Sequence, residues 1–301
     1  MEHSHHHHQQ DISGKNLLIS SVLNLTITII EIIGGLISNS LALLSDALHN
    51  LGDTSAVFLA FMAHRISKKK YTDKKTFGYK RIEILAALFN AIVLIVITSF
   101  LFIEAFKRIR HPEPIRGNVM FVVAVAGLLA NILSVILLKR DSRHNINVRA
   151  AYLHLLGDTI SSVAVIVGAV FIYLFGWYWL DPLVTFIVGL YILKETWMVL
   201  KQAGDILMQG TPGELNLTEV KQALEGLPEI DNIHHVHAWN LNDNEIHFEC
   251  HIDLKDDIRV SQTEKIKEKI HQILLNKFNI SHITIQYEFN CCDDKEMIHS
   301  R

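Results

Sequence analysis

Two histidine–aspartate pairs stand inside apolar stretches of this 301-residue chain, His49 with Asp53 and His154 with Asp158. Each pair has the spacing i, i+4, which puts both side chains on one face of a helix about 6 Å apart. Asp46 and Asn50 extend the first stripe, and Ser161 and Ser162 extend the second. Both pairs belong to the string His-x-Leu-Gly-Asp-Thr, which occurs twice, 105 residues apart. If the two faces turn toward each other, they offer two imidazoles and two carboxylates. Four such N/O donors suit a tetrahedral shell for zinc at about 2.0–2.2 Å. The absence of a thiolate disfavours Cu(I) and leaves cobalt, nickel, cadmium, iron and manganese open beside zinc.

The setting of these residues makes them costly. An aspartate at the centre of a bilayer costs about 2.5–3.5 kcal/mol, so two acid–imidazole pairs there imply a function. Binding a metal displaces protons from such ligands, and histidine titrates near neutral pH. A site open alternately to either side would then exchange metal for protons. Asn24, Asn50, Asn90 and Asn131 read as interhelical hydrogen-bonding groups. Glu31 lies within the first span, open between that role and facing an aqueous path, and Glu104 reads as a residue near the interface.

The elements that must position the pairs are long apolar helices. The chain is 50% hydrophobic with positive mean hydropathy, and its first two thirds hold stretches near the ~20 residues that cross a bilayer. Six spans are expected, at about 16–37, 41–66, 83–106, 118–138, 150–175 and 181–200. Twelve Lys/Arg fall in the loops on the side of the termini, among them Lys68, Lys69, Lys70, Lys139 and Arg140. Four fall in the opposite loops, Lys107, Arg108, Arg110 and Arg116. That bias places both termini in the cytoplasm.

From Gly213 onward 17 Asp/Glu face nine Lys/Arg, a net of −8, while the remainder of the chain carries +5. Such a shift marks a second unit and argues against nucleic acid as a partner. The order expected there is αββαβ: a helix at Leu217–Gly226, strands at Ile233–Leu241 and Glu245–Leu254, a helix at Ser261–Phe278 and a strand at Ser281–Phe289. Asn242-Asp243-Asn244 is the turn between the first two strands. The resulting division is a His-rich flexible tail over 1–14, six transmembrane helices over 15–210, a cytoplasmic domain over 211–290 and a tail over 291–301.

Cys250, Cys291 and Cys292 form no disulfide framework and are expected as reduced thiols. His3 and His5–His8 read either as a metal-collecting tract or as a remnant of a purification tag, and no cleavable signal peptide is visible. Neither a His-Glu-x-x-His string nor a phosphate-binding Gly-x-x-x-x-Gly-Lys-Ser/Thr string is present, which disfavours an intramembrane metallohydrolase and a nucleotide-driven pump. A membrane metal sensor that binds without transporting is the other alternative. Neither an enzyme activity nor an organic cofactor is expected.

Several strings resemble the cation diffusion facilitator family in its bacterial zinc/cadmium type. They are Gly35-Leu-Ile-Ser-Asn-Ser-Leu-Ala-Leu-Leu-Ser-Asp46-Ala-Leu-His49, the two His-x-x-x-Asp pairs, Phe77-Gly78-Tyr79-Lys80-Arg81-Ile82-Glu83, Asp181-Pro182 and His237-Ala-Trp239. The resemblance implies a homodimer in the membrane lipid, the inner cell membrane if bacterial, that exports Zn2+ from the cytoplasm in exchange for H+. It implies transport by His49, Asp53, His154 and Asp158, and a ferredoxin-like cytoplasmic domain holding regulatory metal. The ligands it points to in that domain are His234, His251 and Glu288, with His282 possible. His235, His247 and His271 read as surface residues. Some family members bind metal between the second and third spans through His and Asp. Here lysine and tyrosine stand in that segment, Tyr71 to Tyr79, and no metal is expected there.

Overall fold

A computed structural model describes residues 4–139, 142, 146–243, 245–290 and 296–297 of the chain. His3, Asn244, Cys291 and Cys292 lie outside these residues, as do the side chains of His5–His8. Eleven elements follow in the order α1 (Ser4–Ser38), α2 (Leu41–Ser67), α3 (Ile82–Arg110), α4 (Gly117–Lys139), α5 (Ile146–Phe175), α6 (Leu180–Leu207), α7 (Leu217–Glu225), β1 (Ile230–Asn242), β2 (Glu245–Leu254), α8 (Val260–Phe278) and β3 (His282–Glu288). The six long helices sit where the hydropathy pattern puts them, with α1 starting earlier than residue 16 and α6 running on to Leu207. Five are long and apolar enough to cross a membrane. α2 falls short of that apolarity because Asp46, His49, Asn50, Asp53, His64 and Arg65 lie along it.

The chain divides into two compact units, Met1–Phe61 with Phe89–Val199, and Met62–Leu88 with Leu200–Arg301. In the first unit Leu43 of α2, Met120 and Ala124 of α4, Val165 and Ala169 of α5, and Val188 and Ile192 of α6 pack into one buried cluster. Large side chains on the outer faces stay exposed, including Val57, Phe100, Ile136, Ile160 and Trp197. An apolar exterior of this kind is what lipid as solvent demands.

In the second unit α7 and α8 pack on a three-stranded sheet of order β1-β2-β3, with β1–β2 antiparallel and β2–β3 parallel. Asn216 caps α7, its side-chain oxygen accepting from the amides of Thr218 (3.0 Å) and Glu219 (3.4 Å). α8 ends at Asn279, whose left-handed backbone (φ 55°) lets the Ile280 amide reach back to the Leu274 carbonyl at 3.0 Å. Ile266, Ile270 and Leu274 recur every four residues on α8 and are buried against Phe248, Cys250 and Ile252 of β2. β1 is bulged between His234 and His237. There the amides of His235 and Val236 donate to the carbonyls of Glu296 (3.3 Å) and Met297 (2.8 Å).

Candidate metal centre

The placement of α2 begins at the corner Ser38-Asn39-Ser40. Asn39 takes a left-handed conformation (φ 60°), and Arg108 of α3 donates to its carbonyl (2.7 Å) and to its Oδ1 (2.9 Å). The first amides of a helix have no partner within it. Here Ser40 Oγ accepts from the Leu43 amide at 3.1 Å, and Asp181 of α6 accepts from the amides of Leu41 (2.8 Å) and Ala42 (3.2 Å) and from Ser40 Oγ (2.5 Å). A buried carboxylate at a helix N-terminus also meets the positive end of the helix dipole. These bonds account for two of the recognised strings, Ser38-Asn-Ser40 and Asp181-Pro182.

The two copies of His-x-Leu-Gly-Asp-Thr do equivalent work on α2 and α5. Gly52 admits α3: a Cβ there would stand 2.5 Å from Leu94 Cδ2, and its carbonyl accepts from Asn90 Nδ2 at 3.2 Å. Gly157 admits α6: a Cβ there would stand 3.0 Å from the Tyr191 hydroxyl. Thr54 and Thr159 each return their hydroxyl to the carbonyl four residues earlier, at 3.0 and 2.7 Å.

The acid–imidazole faces meet. His49 Nε2 lies 3.6 Å from Asp53 Oδ2 and 3.6 Å from Asp158 Oδ1. His154 Nε2 lies 3.0 Å from Asp53 Oδ2 and 3.7 Å from Asp158 Oδ2. The imidazole centroids are 5.8 Å apart at 67°. Ligand atoms at the corners of a tetrahedral zinc shell stand about 3.3 Å apart, inside the spread of these four distances. One ligand atom from each of His49, Asp53 and His154 lies within 4.8 Å of the others. Asp158 approaches each imidazole with a different oxygen. Both ring nitrogens of buried His49 and both oxygens of buried Asp158 have no hydrogen-bond partner, a costly condition that a cation relieves.

Neighbouring polar groups complete the picture. Ser161 Oγ donates to Asp46 Oδ1 at 2.6 Å, Ser162 Oγ to Asp46 Oδ2 at 3.4 Å, and Asn131 Nδ2 to Ser162 Oγ at 3.2 Å. Asn50 Nδ2 donates to Glu31 Oε2 at 3.2 Å. Glu104 pairs with Lys107 (3.3 Å) and Arg108 (3.5 Å) on its own helix. Tyr191, whose ring stands 6.1 Å from that of His49, is a site neighbour that the sequence did not disclose. A lone tyrosine in an apolar helix carries no spacing signal.

The second unit holds a smaller cluster. His234 of β1 and His251 of β2 are cross-strand partners. Glu288 at the end of β3 reaches both, Oε2 to His234 Nε2 at 3.2 Å and Oε1 to His251 Nδ1 at 2.8 Å. The His235 ring stacks on His251 at 4.6 Å, so it is a half-buried neighbour of the cluster rather than a surface residue. His282 does not join: it starts β3, in register with His247, and their rings are 4.3 Å apart. His247, expected at the surface, is 5% exposed. Phe77 from the segment between α2 and α3 and Trp239 of β1 cover it, with ring centroids at 5.4 Å each. Strand alternation alone cannot reveal such a lid. Burial, the charge of His282 and the nearby Lys80 and Arg81 hold the His247 imidazole below its ordinary range against a smaller opposing effect of Glu245. Lys80 Nζ meets both oxygens of Glu245 at 2.5 Å, tying the same segment to β2.

Comparison with known proteins bears on the whole length. Residues 17–208 match the family described as cation efflux transmembrane domain, and residues 212–290 match cation efflux protein, cytoplasmic domain. A cadmium, cobalt and zinc/H(+)-K(+) antiporter of Bacillus subtilis is 39% identical over 285 residues, 94% of this chain and 91% of that one. Zinc transporter ZitB of Escherichia coli is 39% identical over 298 residues, covering 97% and 94%. Metal cation efflux system protein CzcD of Cupriavidus metallidurans is 37% identical over 294 residues, covering 98% and 92%. A solved metal-bound C-terminal domain of the CzcD transporter is 28% identical, covering 25% of this chain and 99% of that one, with a TM-score of 0.22. The polar faces of α2 and α5, the long apolar helices and these two matches agree: the chain belongs to the cation efflux family of multi-pass membrane transporters.

Proposed function

We propose that this chain exports divalent transition-metal cations, zinc foremost, from the cytoplasm in exchange for protons, and that the cation passes through His49, Asp53, His154 and Asp158. The observation that carries the reading is the convergence of the buried ligand atoms of His49 and Asp158, none held by a hydrogen bond, with those of Asp53 and His154 across two helices. A divalent ion balances two ionised aspartates beside two neutral imidazoles, so the loaded site is close to charge-neutral in a low-dielectric setting. Removal of the ion leaves the imidazoles free to take protons, which couples the two flows in opposite directions. The names of the antiporter and zinc-transporter relatives support the same exchange.

The remaining parts follow from this reading. Both termini lie in the cytoplasm, supported by the Lys/Arg bias of the loops. The chain works as a homodimer in lipid, and His234, His251 and Glu288 hold a regulatory metal. Proteoliposomes carrying the full-length protein test the transport claim with a zinc dye and a pH dye read together. Zinc and proton movements in opposite directions are expected, and both stop in Asp158→Ala. Undiminished flux in that variant refutes the site; zinc binding without flux in the wild-type protein refutes transport.

A further inference from the structure

One buried carboxyl group has no part in the exchange proposed above. Glu31 of α1 is 1% exposed. Its Oε2 accepts from Asn50 of α2. Its Oε1 lies against Gly127 of α4, where a Cβ would stand only 2.2 Å away. Three helices therefore clasp it, and its bonded partner Asn50 is the residue next to His49. Along α2 the side chains pass from Asp53, 30% exposed, to His49, Asn50 and Asp46, all buried. Glu31 thus adjoins the sealed side of the site.

Among the described residues no lysine or arginine acts on it. The charged groups that act on Glu31 are Asp46 of α2 and Asp158 of α5, both acidic. α4 brings Gly127 and the uncharged Asn131 and carries no charge before Lys139, and α1 carries no other charge from Asn16 to its end. A carboxylate in a dry setting among like charges neutralises by taking a proton. Asn50 points the same way: its Nδ2 is bonded to Glu31, while its Oδ1 is buried without a donor. A carboxylic acid supplies a donor of the kind that oxygen lacks.

Resting on the transport reading, we propose that Glu31 is a gating proton site: the helices seal over the metal only when Glu31 is protonated, and it loses that proton only when the opposite face opens to water. With the metal and two ionised aspartates already in balance, a further ionised carboxylate would leave uncompensated charge in the closed state. The closing step is therefore tied to a proton that none of the four ligands carries.

Glu31→Gln mimics the protonated group and keeps an acceptor for Asn50. In proteoliposomes the wild-type rate is expected to decline as pH rises, and this variant is expected to bind and transport zinc without that decline. A rate profile superimposable on the wild type overturns the proposal. A second measurement needs no variant: a hydrophobic carbodiimide, which reacts with protonated carboxyl groups in membranes, is applied to the wild-type protein and the adduct located by mass spectrometry. Labelling at Glu31 that falls with rising pH is expected; no labelling there, or labelling independent of pH, overturns it. The carbodiimide result does not depend on flux, so failure of transport in the wild-type protein sinks the export reading alone.

Discussion

Replacing Asp181 with alanine tests how α2 is held in place. The change removes the acceptor of two backbone amides, Leu41 and Ala42, and of the Ser40 hydroxyl, all buried. A buried donor stripped of its acceptor costs about 1–3 kcal/mol, and loss of a carboxylate from a helix N-terminus costs up to ~2 kcal/mol more. With part of that recovered by rearrangement, about 3–5 kcal/mol is expected, the range for breaking a buried charged network. At roughly 2–4 °C per kcal/mol for a unit of this size, the melting midpoint falls by about 10 °C. The assay is thermal unfolding of the purified protein in detergent, read by the loss of its monodisperse chromatographic peak. Asp181→Asn, which keeps one acceptor oxygen, is expected between the two. His49 lies nine residues beyond Ser40, about two and a half turns along α2, so zinc affinity is expected to fall with the midpoint. A midpoint within ~2 °C of the wild type, less than 1 kcal/mol, would refute the reasoning, because the three bonds would then carry no net stability.

Three further outcomes are expected. Burial, with the charge of Glu249, pushes the Cys250 thiol up to about 12. In a chain carrying Cys291→Ser and Cys292→Ser, iodoacetamide should therefore leave Cys250 unmodified until denaturant is added, since the thiolate is the reacting species; rapid labelling of the folded protein contradicts this. His247 is depressed in the folded chain, so the unfolded chain binds more protons as pH falls through about 6.5 and stability declines there. His247→Phe should flatten the loss of thermal stability between about pH 7 and 5, and an unchanged slope counts against the buried neutral imidazole. Glu288→Gln removes a carboxylate that touches both His234 and His251. Equilibrium dialysis on an Asp158→Ala background should show one zinc fewer bound per chain than that background alone, and an unchanged count rules that cluster out as a metal site.

Much of this structure was legible from residue order because its strongest constraints are local. Apolar blocks interrupted by Gly, Pro and charge place the six long helices, and period-two alternation places β1, β2 and β3. The i, i+4 spacing names both acid–imidazole pairs, since lipid leaves few reasons for such residues to stand in a span. What stayed hidden depends on contacts between distant segments. Nothing in the local sequence of His247 shows that Phe77 covers it. His282 resembles Glu288 as a ligand candidate, but the parallel register of β3 on β2 puts it six residues away, beside His247. Tyr191 stands beside His49 where Gly157 leaves room for its hydroxyl.

The polarity of α2 has a consequence for how the protein is made. Asp53 leaves the ribosome 105 residues ahead of Asp158, an interval of roughly 5–20 s at ordinary rates of synthesis. Throughout it, the acid–imidazole pair of α2 waits with nothing opposite. A segment of that composition has little drive to enter lipid unaided, so its integration is expected to follow the arrival of α5. Nascent chains cut short before residue 150 should therefore leave α2 outside the bilayer, open to proteases. Assembly of the membrane unit is, in this sense, a pairing reaction between an early half-site and a late one.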